Sequence, residues 1–161
     1  MAGATPGVDD IEPYAADWRA GCLAVFDGNL GRYFADDERA TFIEYLDVHS
    51  STLPYFVLVS GDTVLACGGY GKEGDRVSLN WGMVARDHHR RGLGQCITRF
   101  RLERIAVEHP DTPVRIETSQ HTMGFYARLG FAVENHTPDG FGVGIDRVVM
   151  VWLPAAPEPG A

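Results

Sequence analysis

Basic residues are scarce in this chain: 14 Lys and Arg stand against 22 Asp and Glu, for a formal net charge of −8 and a pI near 5.1. A general binder of nucleic acid or of an anionic membrane needs a cationic face, so neither partner is expected. Cysteine is scarcer still. Cys22, Cys67 and Cys96 are odd in number and lack the paired spacing of a disulfide framework or a zinc site, which predicts reduced thiols, a cytoplasmic location and no metal. Long hydrophobic runs are missing too. None approaches the ~18 residues of a membrane span, and the stretch from Met1 to Gly7 has neither the charged nor the apolar part of a signal peptide. Internal repeats and composition breaks are also lacking, so the chain reads as one domain.

What is present is an ordinary globular composition, 45% hydrophobic and 22% charged over 161 residues. A chain of this size can bury about two-thirds of its unfolded surface. Residues 1–8 and 154–161 are small or proline-rich and are expected to be flexible tails around a domain spanning 9–153. A strand is expected over Asp10–Tyr14. A helix follows from Asp17, with Trp18, Cys22, Leu23, Val25 and Phe26 at near-helical spacing, until Gly28-Asn29 and Gly31 end it. A second helix starts near Asp36-Asp37-Glu38, whose acids suit a helix N-terminus. Tyr55–Ser60 and Thr63–Tyr70 read as a hairpin turned at Gly61-Asp62, and Arg76–Ala85 as another strand. Leu93, Cys96, Ile97 and Phe100 stripe a long helix over Gly92–His109 that Pro110 stops. Val114–Thr118 reads as a strand and Thr122–Leu129 as a short helix closed by Gly130. Two last strands, Phe131–His136 and Ile145–Leu153, enclose a glycine-rich loop, Pro138–Gly144. About six to seven strands and about four helices in this order make a mixed α/β fold in layers.

The chemistry concentrates between Val84 and Arg104. Six of the 14 basic residues (Arg86, Arg90, Arg91, Arg99, Arg101 and Arg104) fall in one window, opposed by Asp87 and Glu103. A cationic window in an acidic chain suggests an anion site. Gly92 and Gly94 stand where a strand turns into a helix, a place where backbone amides are free and the helix dipole is positive. No Gly-Lys-Ser/Thr follows, so this is not a Walker loop. Ile97 occupies the third-glycine place of a dinucleotide fingerprint, so it is not that either.

Farther on, Phe125-Tyr126-Ala127-Arg128-Leu129-Gly130-Phe131 joins a short helix to a strand. Together with His89-Arg90-Arg91-Gly92-Leu93-Gly94, this segment resembles the GNAT superfamily of acetyl-CoA-dependent N-acetyltransferases. Its signatures are Gln/Arg-x-x-Gly-x-Gly/Ala at the start of the helix after the fourth strand, and Phe-Tyr-x-x-x-Gly-Phe beyond it. The resemblance covers roughly residues 10–153.

The resemblance implies a central, mostly antiparallel sheet that splays apart, and acetyl-CoA as co-substrate. It implies the coenzyme's pyrophosphate on the amides of His89, Arg90, Arg91, Gly92, Leu93 and Gly94, with Gln95 at the edge. The pantetheine arm would run beside Met83 and Val84 and bond Ser119. Tyr126 would be the general acid that protonates the departing thiolate. His89 departs from the usual Gln or Arg, and Ser119 from a frequent Asn. A carboxylate base, often carried on the fourth strand, has no counterpart in the stretch from Ser78 to Val84. Glu117, the nearest carboxylate by sequence, and a water chain are the alternatives. The expected reaction is direct attack by the primary amine of a small molecule. Acetylation of a protein or peptide, or non-catalytic acyl-CoA binding, are the other readings, and the family's habit suggests a homodimer.

Acceptor walls are expected from Tyr33, Phe34, Trp81 and the loop Pro138–Gly144. Asp36, Asp37 and Asp139 read as cap and turn acids that can also attract a cationic amine. His88 and His89 are adjacent and point apart, which suits no metal. Cys96 reads as an inert core thiol and His121 as a surface residue.

Overall fold

The computed structural model describes residues 5–154. Its elements are β1 (Ile11–Pro13), α1 (Arg19–Gly28), α2 (Glu38–Asp47), β2 (Tyr55–Ser60), β3 (Thr63–Glu73), β4 (Arg76–Val84), α3 (Leu93–Glu108), β5 (Val114–Thr118), α4 (Met123–Arg128), β6 (Ala132–Gly142) and β7 (Ile145–Trp152). The expected element order holds throughout. The strands form one seven-stranded sheet in the order β1-β2-β3-β4-β5-β7-β6. Neighbours are antiparallel except β4 and β5, which run parallel because α3 crosses between them.

Residues 1–4 and 155–161 of the expected tails lie outside the described residues; a turn over Val8–Asp10, where Asp10 Oδ2 accepts the Gly7 N–H at 2.9 Å, leads into β1. One expectation changes. The segment Pro138–Gly144 is not a loop. β6 runs through it to Gly142, and only Val143-Gly144 turn. The pairing breaks between Thr137 and Gly142, and Asp139 takes a positive φ of 54° there. An irregular edge strand accommodates Pro138 and the glycines, because an outer strand can lose ladder bonds.

The sheet is covered on both faces except at its exposed edge strand β6. Against one face, α1 and α2 bring Cys22, Val25, Phe26, Phe42, Tyr45 and Leu46 onto Tyr55, Val57, Cys67 and Met83. On the other, α3 and α4 bring Ile105 and Tyr126 onto Phe56, Tyr70, Val77, Leu79 and Ile116. Phe26 has no exposed surface and stacks on Phe34 at 4.8 Å and Phe42 at 5.3 Å. Phe26→Ala is therefore expected to lower stability by ~3–5 kcal/mol, checked by denaturant unfolding. A loss under about 1 kcal/mol would mean that the cavity collapses instead.

α4 ends as Gly130 predicts. Gly130 (φ +102°) donates to Ala127 O and Phe131 donates back to Tyr126 O. This double closure is the glycine-capped helix end that left-handed backbone allows.

Candidate active site

β4 and β5 pair only at Val77↔Val114, Ser78↔Arg115 and Leu79↔Ile116. Beyond Leu79, β4 stays with β3 as far as Val84, while β5 follows β7 to Thr118. The sheet therefore opens between them. A cleft of about 1250 Å³ occupies the gap and runs to the start of α3. The local cause is a bulge. Cys67 pairs with Met83 and Gly69 with Asn80, so Trp81 and Gly82 together oppose Gly68. Trp81 has φ +47°, a strained conformation for an aromatic residue. The Tyr55 hydroxyl holds it by donating to Trp81 O at 2.8 Å, and Phe42 packs its ring at 5.1 Å.

At the other end of the cleft, Arg90 (φ +66°) and Gly92 (φ +78°) both adopt left-handed backbone. The first bond of the α3 ladder runs from Cys96 N–H to Gly92 O at 3.0 Å. The amides of Leu93, Gly94 and Gln95 precede it and have no intrahelical acceptor. Nothing stands within 4 Å of where a Gly92 β-carbon would point, whereas one at Gly94 would meet Val84 at 3.4 Å and Phe125 at 3.5 Å. Gly92 thus serves the turn and Gly94 the close approach of α3 to β4.

Most of the expected coenzyme residues line this cleft: Met83, Val84, His89, Arg90, Gly92, Leu93, Gly94, Gln95 and Ser119. Arg91 is the exception among them, since its Nη1 lies 3.3 Å from His88 Nδ1 on the exposed side. The His89 ring turns inward and its Nε2 sits 2.8 Å from Val84 O. Asn29, buried at the end of α1, donates to the same oxygen at 2.9 Å. Ser119 Oγ accepts the His121 N–H at 3.2 Å, which leaves its proton free to donate.

Tyr126 of α4 lies at the floor of the cleft, edge-on to Phe125 at 5.0 Å and Phe131 at 5.5 Å. Burial raises its pKa, and the Arg101 guanidinium beside it pulls the other way. Glu117 also lines the cleft, but Arg115 and Arg147 both donate to its Oε1. Burial pushes its pKa up, and the two arginines more than reverse this, so the net shift is downward. A carboxylate stabilised in its ionised form is a weak proton acceptor. The expectation that Glu117 is the base therefore conflicts with its surroundings, which the sequence did not reveal because Arg147 lies far along the chain.

On the acceptor side stand Tyr33, Phe34, Trp81 and Phe141. A β-carbon on Gly142 would come within 3.2 Å of Ala35 Cβ, so β6 and the segment before α2 approach closely. Of the expected acids, Asp139 turns onto its own hairpin, where Oδ1 accepts the Gly144 N–H at 2.7 Å. Asp36 and Asp37 are exposed, and Glu38 lines the cleft in their place. Its Oε2 accepts the Ala35 N–H at 2.8 Å. Desolvation, aided by the charge of Asp37, raises its pKa against that hydrogen bond.

The family described as "Acetyltransferase (GNAT) domain" matches residues 34–154. The chain belongs to the GNAT acetyltransferases. Solved structures agree in fold. A GNAT-family acetyltransferase from Desulfovibrio desulfuricans superposes with TM-score 0.75 at 19% identity, over 90% of this chain and 98% of that one. The ribosomal-protein-S18-alanine N-acetyltransferase of Escherichia coli gives 0.73 at 14%, over 94% and 97%. An aminoglycoside 6'-N-acetyltransferase complexed with coenzyme A gives 0.67 at 12%, over 92% and 99%. Among curated proteins, none matches the chain.

In this GNAT domain, three cleft residues escaped the sequence reading. Asn29 read only as a helix stop. Glu38 read as one acid of three. Arg101 read as part of the cationic window, yet it is buried. Its spacing from Leu93, Ile97 and Ile105, four residues apart each time, was the available signal. Cys96 is half-buried rather than a core thiol. Among the described residues, no helix is long and apolar enough to cross a membrane, and no group of three His, Cys, Asp or Glu is placed to hold a metal ion.

Proposed function

We propose that this GNAT acetyltransferase acetylates a small primary amine, with acetyl-CoA as donor and Tyr126 as general acid. The single observation that carries the reading is the continuity of the cleft from the open Gly92 turn, through the β4–β5 gap, to Tyr126. Coenzyme A fits these residues. The free amides at the start of α3 and the left-handed turn suit a pyrophosphate, and the unpaired edge of β4 beyond Leu79 suits an extended amide-bearing arm. When bound, the coenzyme supplies an activated acetyl thioester.

The residues of this chain do the rest. The bulge at Trp81-Gly82 opens β4, so that backbone N–H groups near Met83 can meet the developing oxyanion. Holding amine and thioester in line is the main contribution to rate, several kcal/mol. Tyr126 donates its proton to the leaving sulphur. On reference values, phenol near 10 and thiol near 8.5, that transfer is uphill by only ~2 kcal/mol.

Phe34 and Phe141, which line the acceptor end of the cleft beside the close approach of Gly142 to Ala35, favour a small acceptor over an extended peptide. Glu38 is our assignment for the carboxylate that receives the amine. An α-amine with pKa near 8 needs only ~1.4 kcal/mol to be neutral at pH 7, against ~4.6 kcal/mol for a lysine-like amine. An α-amino compound is therefore the favoured acceptor class. Coenzyme release measured over amino acids and alkylamines tests this. Faster turnover of simple alkylamines would sink the substrate class, and activity on peptides alone would select the other transferase reading.

Glu38→Gln is expected to lower kcat/KM for the acceptor by ~10²-fold. Coenzyme affinity should stay unchanged. Because burial raises the pKa of Glu38, its ionised form is lost at a higher pH than an ordinary glutamate's. Below the limb that the amine's own ionisation sets in both proteins, wild type should therefore lose further rate as Glu38 takes up a proton, and the variant should not. An unchanged limb would assign the proton to water.

A further inference from the structure

α3 carries a fully buried arginine that the reaction as described does not use. Arg101 is 1% exposed and lines the floor of the cleft. Its Nη1 donates to Gly69 O at 3.1 Å, Nη2 to Thr98 Oγ1 at 3.2 Å and Nε to Ile97 O at 3.3 Å. All three acceptors are neutral. Among the described residues, Arg101 takes part in no ion pair, whereas Arg19, Arg39, Arg76, Arg104, Arg115 and Arg147 all do. A guanidinium has five N–H donors, so two remain for another partner.

The sheet is shaped around this cation. A β-carbon at Gly68 would stand 2.8 Å from Arg101 Cζ, and one at Gly82 would stand 2.8 Å from Nη2. Both glycines belong to the bulge that opens the cleft. β3 and β4 thus leave out two side chains where the guanidinium lies. The titratable groups that feel its charge are Tyr126 from α4 and Tyr45 from α2. The Tyr45 hydroxyl is buried and has no hydrogen-bond partner. A buried cation without a counter-ion is expensive to fold around, and it persists where an anion forms during function.

We propose that Arg101 is a positioning residue for the leaving group, supplying from the wall of the cleft the positive charge against which the coenzyme thiolate and the tyrosinate form. This rests on Tyr126 being the general acid. In the step served, the amine lone pair makes the C–N bond and the C–S pair leaves on sulphur. The Tyr126 proton moves to that sulphur, and the one surplus amine proton passes, relayed by the acceptor carboxylate or solvent, to the tyrosinate and restores the phenol. Net charge near Arg101 becomes negative only in between, so the guanidinium favours the transition state over the ground state.

Two readouts test it. The first needs no acceptor: free coenzyme A is bound to the protein and its thiolate absorbance is followed at mildly alkaline pH. Arg101→Met should reduce the bound thiolate fraction about tenfold relative to wild type, and Arg101→Lys, which keeps the charge, should recover part of it. The second is a double-mutant cycle in coenzyme release. Arg101→Met should lower kcat ~10–100-fold with little change in the KM for acetyl-CoA. In a Tyr126→Phe background the further loss should be at least as large, because an unprotonated thiolate then depends on the guanidinium alone.

Stability separates this from a structural role. Replacing a buried charge by an apolar side chain is often neutral or stabilising, so Arg101→Met should melt at or above wild type while being slower. If it fails to fold, Arg101→Gln, which keeps N–H donors without the charge, carries the same titration; a thiolate fraction about tenfold below wild type supports the proposal and an unchanged one overturns it. An unchanged thiolate fraction and kcat in folded Arg101→Met overturn it, as does a smaller loss in the Tyr126→Phe background than in wild type. Full activity of Tyr126→Phe removes the acid assignment and this proposal with it. A slow Tyr126→Phe beside an unimpaired Arg101→Met removes this proposal alone.

Discussion

Tyr126→Phe is expected to reduce kcat by ~10²–10⁴ while leaving acetyl-CoA affinity and the melting temperature near their wild-type values. The ring can stay where it is, edge-on to Phe125 at 5.0 Å and Phe131 at 5.5 Å, so packing survives the loss of the hydroxyl. What disappears is the proton for the leaving sulphur. Without it a free thiolate must depart into a partly buried cleft, and the bond-breaking step loses its compensation. Single-turnover thiol release with acetyl-CoA and the fastest amine of the panel checks this. A variant at wild-type rate would mean that the thiolate leaves unprotonated or takes its proton from water. The direction of the Tyr126 shift adds a constraint. Burial makes the phenol less acidic, so it stays protonated across the physiological range, and no alkaline loss of rate is expected near neutrality.

The second large effect is on the coenzyme. Gly92→Glu should weaken acetyl-CoA binding by 100-fold or more, a difference of ~2.7 kcal/mol. Two causes add. The backbone at Gly92 has φ +78°, and a β-branched or bulky residue resists that region. A carboxylate would also stand at the free amides that the pyrophosphate is proposed to occupy. The protein itself leaves open space there, so a general unfolding is not expected. Gly92→Asn separates the causes, since Asn tolerates left-handed backbone without adding charge. Calorimetry with acetyl-CoA should find Asn within a few-fold of wild type. Equal affinity in all three proteins would move the phosphate site away from this turn.

Local signals were legible where one segment decides its own shape. The hairpin at Gly61-Asp62, the glycine closure of α4 and the start of α3 at Gly92 all follow from backbone preferences of a few residues. The loop Pro138–Gly144 misled for a related reason. Proline and glycine argue for a turn by themselves, and only the partner strand β7 shows that β6 continues through them with broken pairing.

The candidate site divides in the same way. Tyr126, Gly92 and Gly94 are named by short motifs, because an aromatic-glycine helix end and an amide turn are local constructions. Glu117 and Arg101 are not local. Glu117 stands near Tyr126 in sequence, but Arg147, on a strand that pairs later, takes its carboxylate. Arg101 sits at a core position of α3, and only the glycines of β3 and β4 make room for it.

By itself, then, the sequence determined the order of elements, the family and the two backbone turns, since each depends on interactions within one stretch of chain. Only the tertiary structure decided which charges are buried, which acids face the cleft and which carboxylate is free to take a proton. Those depend on desolvation and on ion pairs between segments far apart in the chain, and neither term exists until the sheet has closed around them.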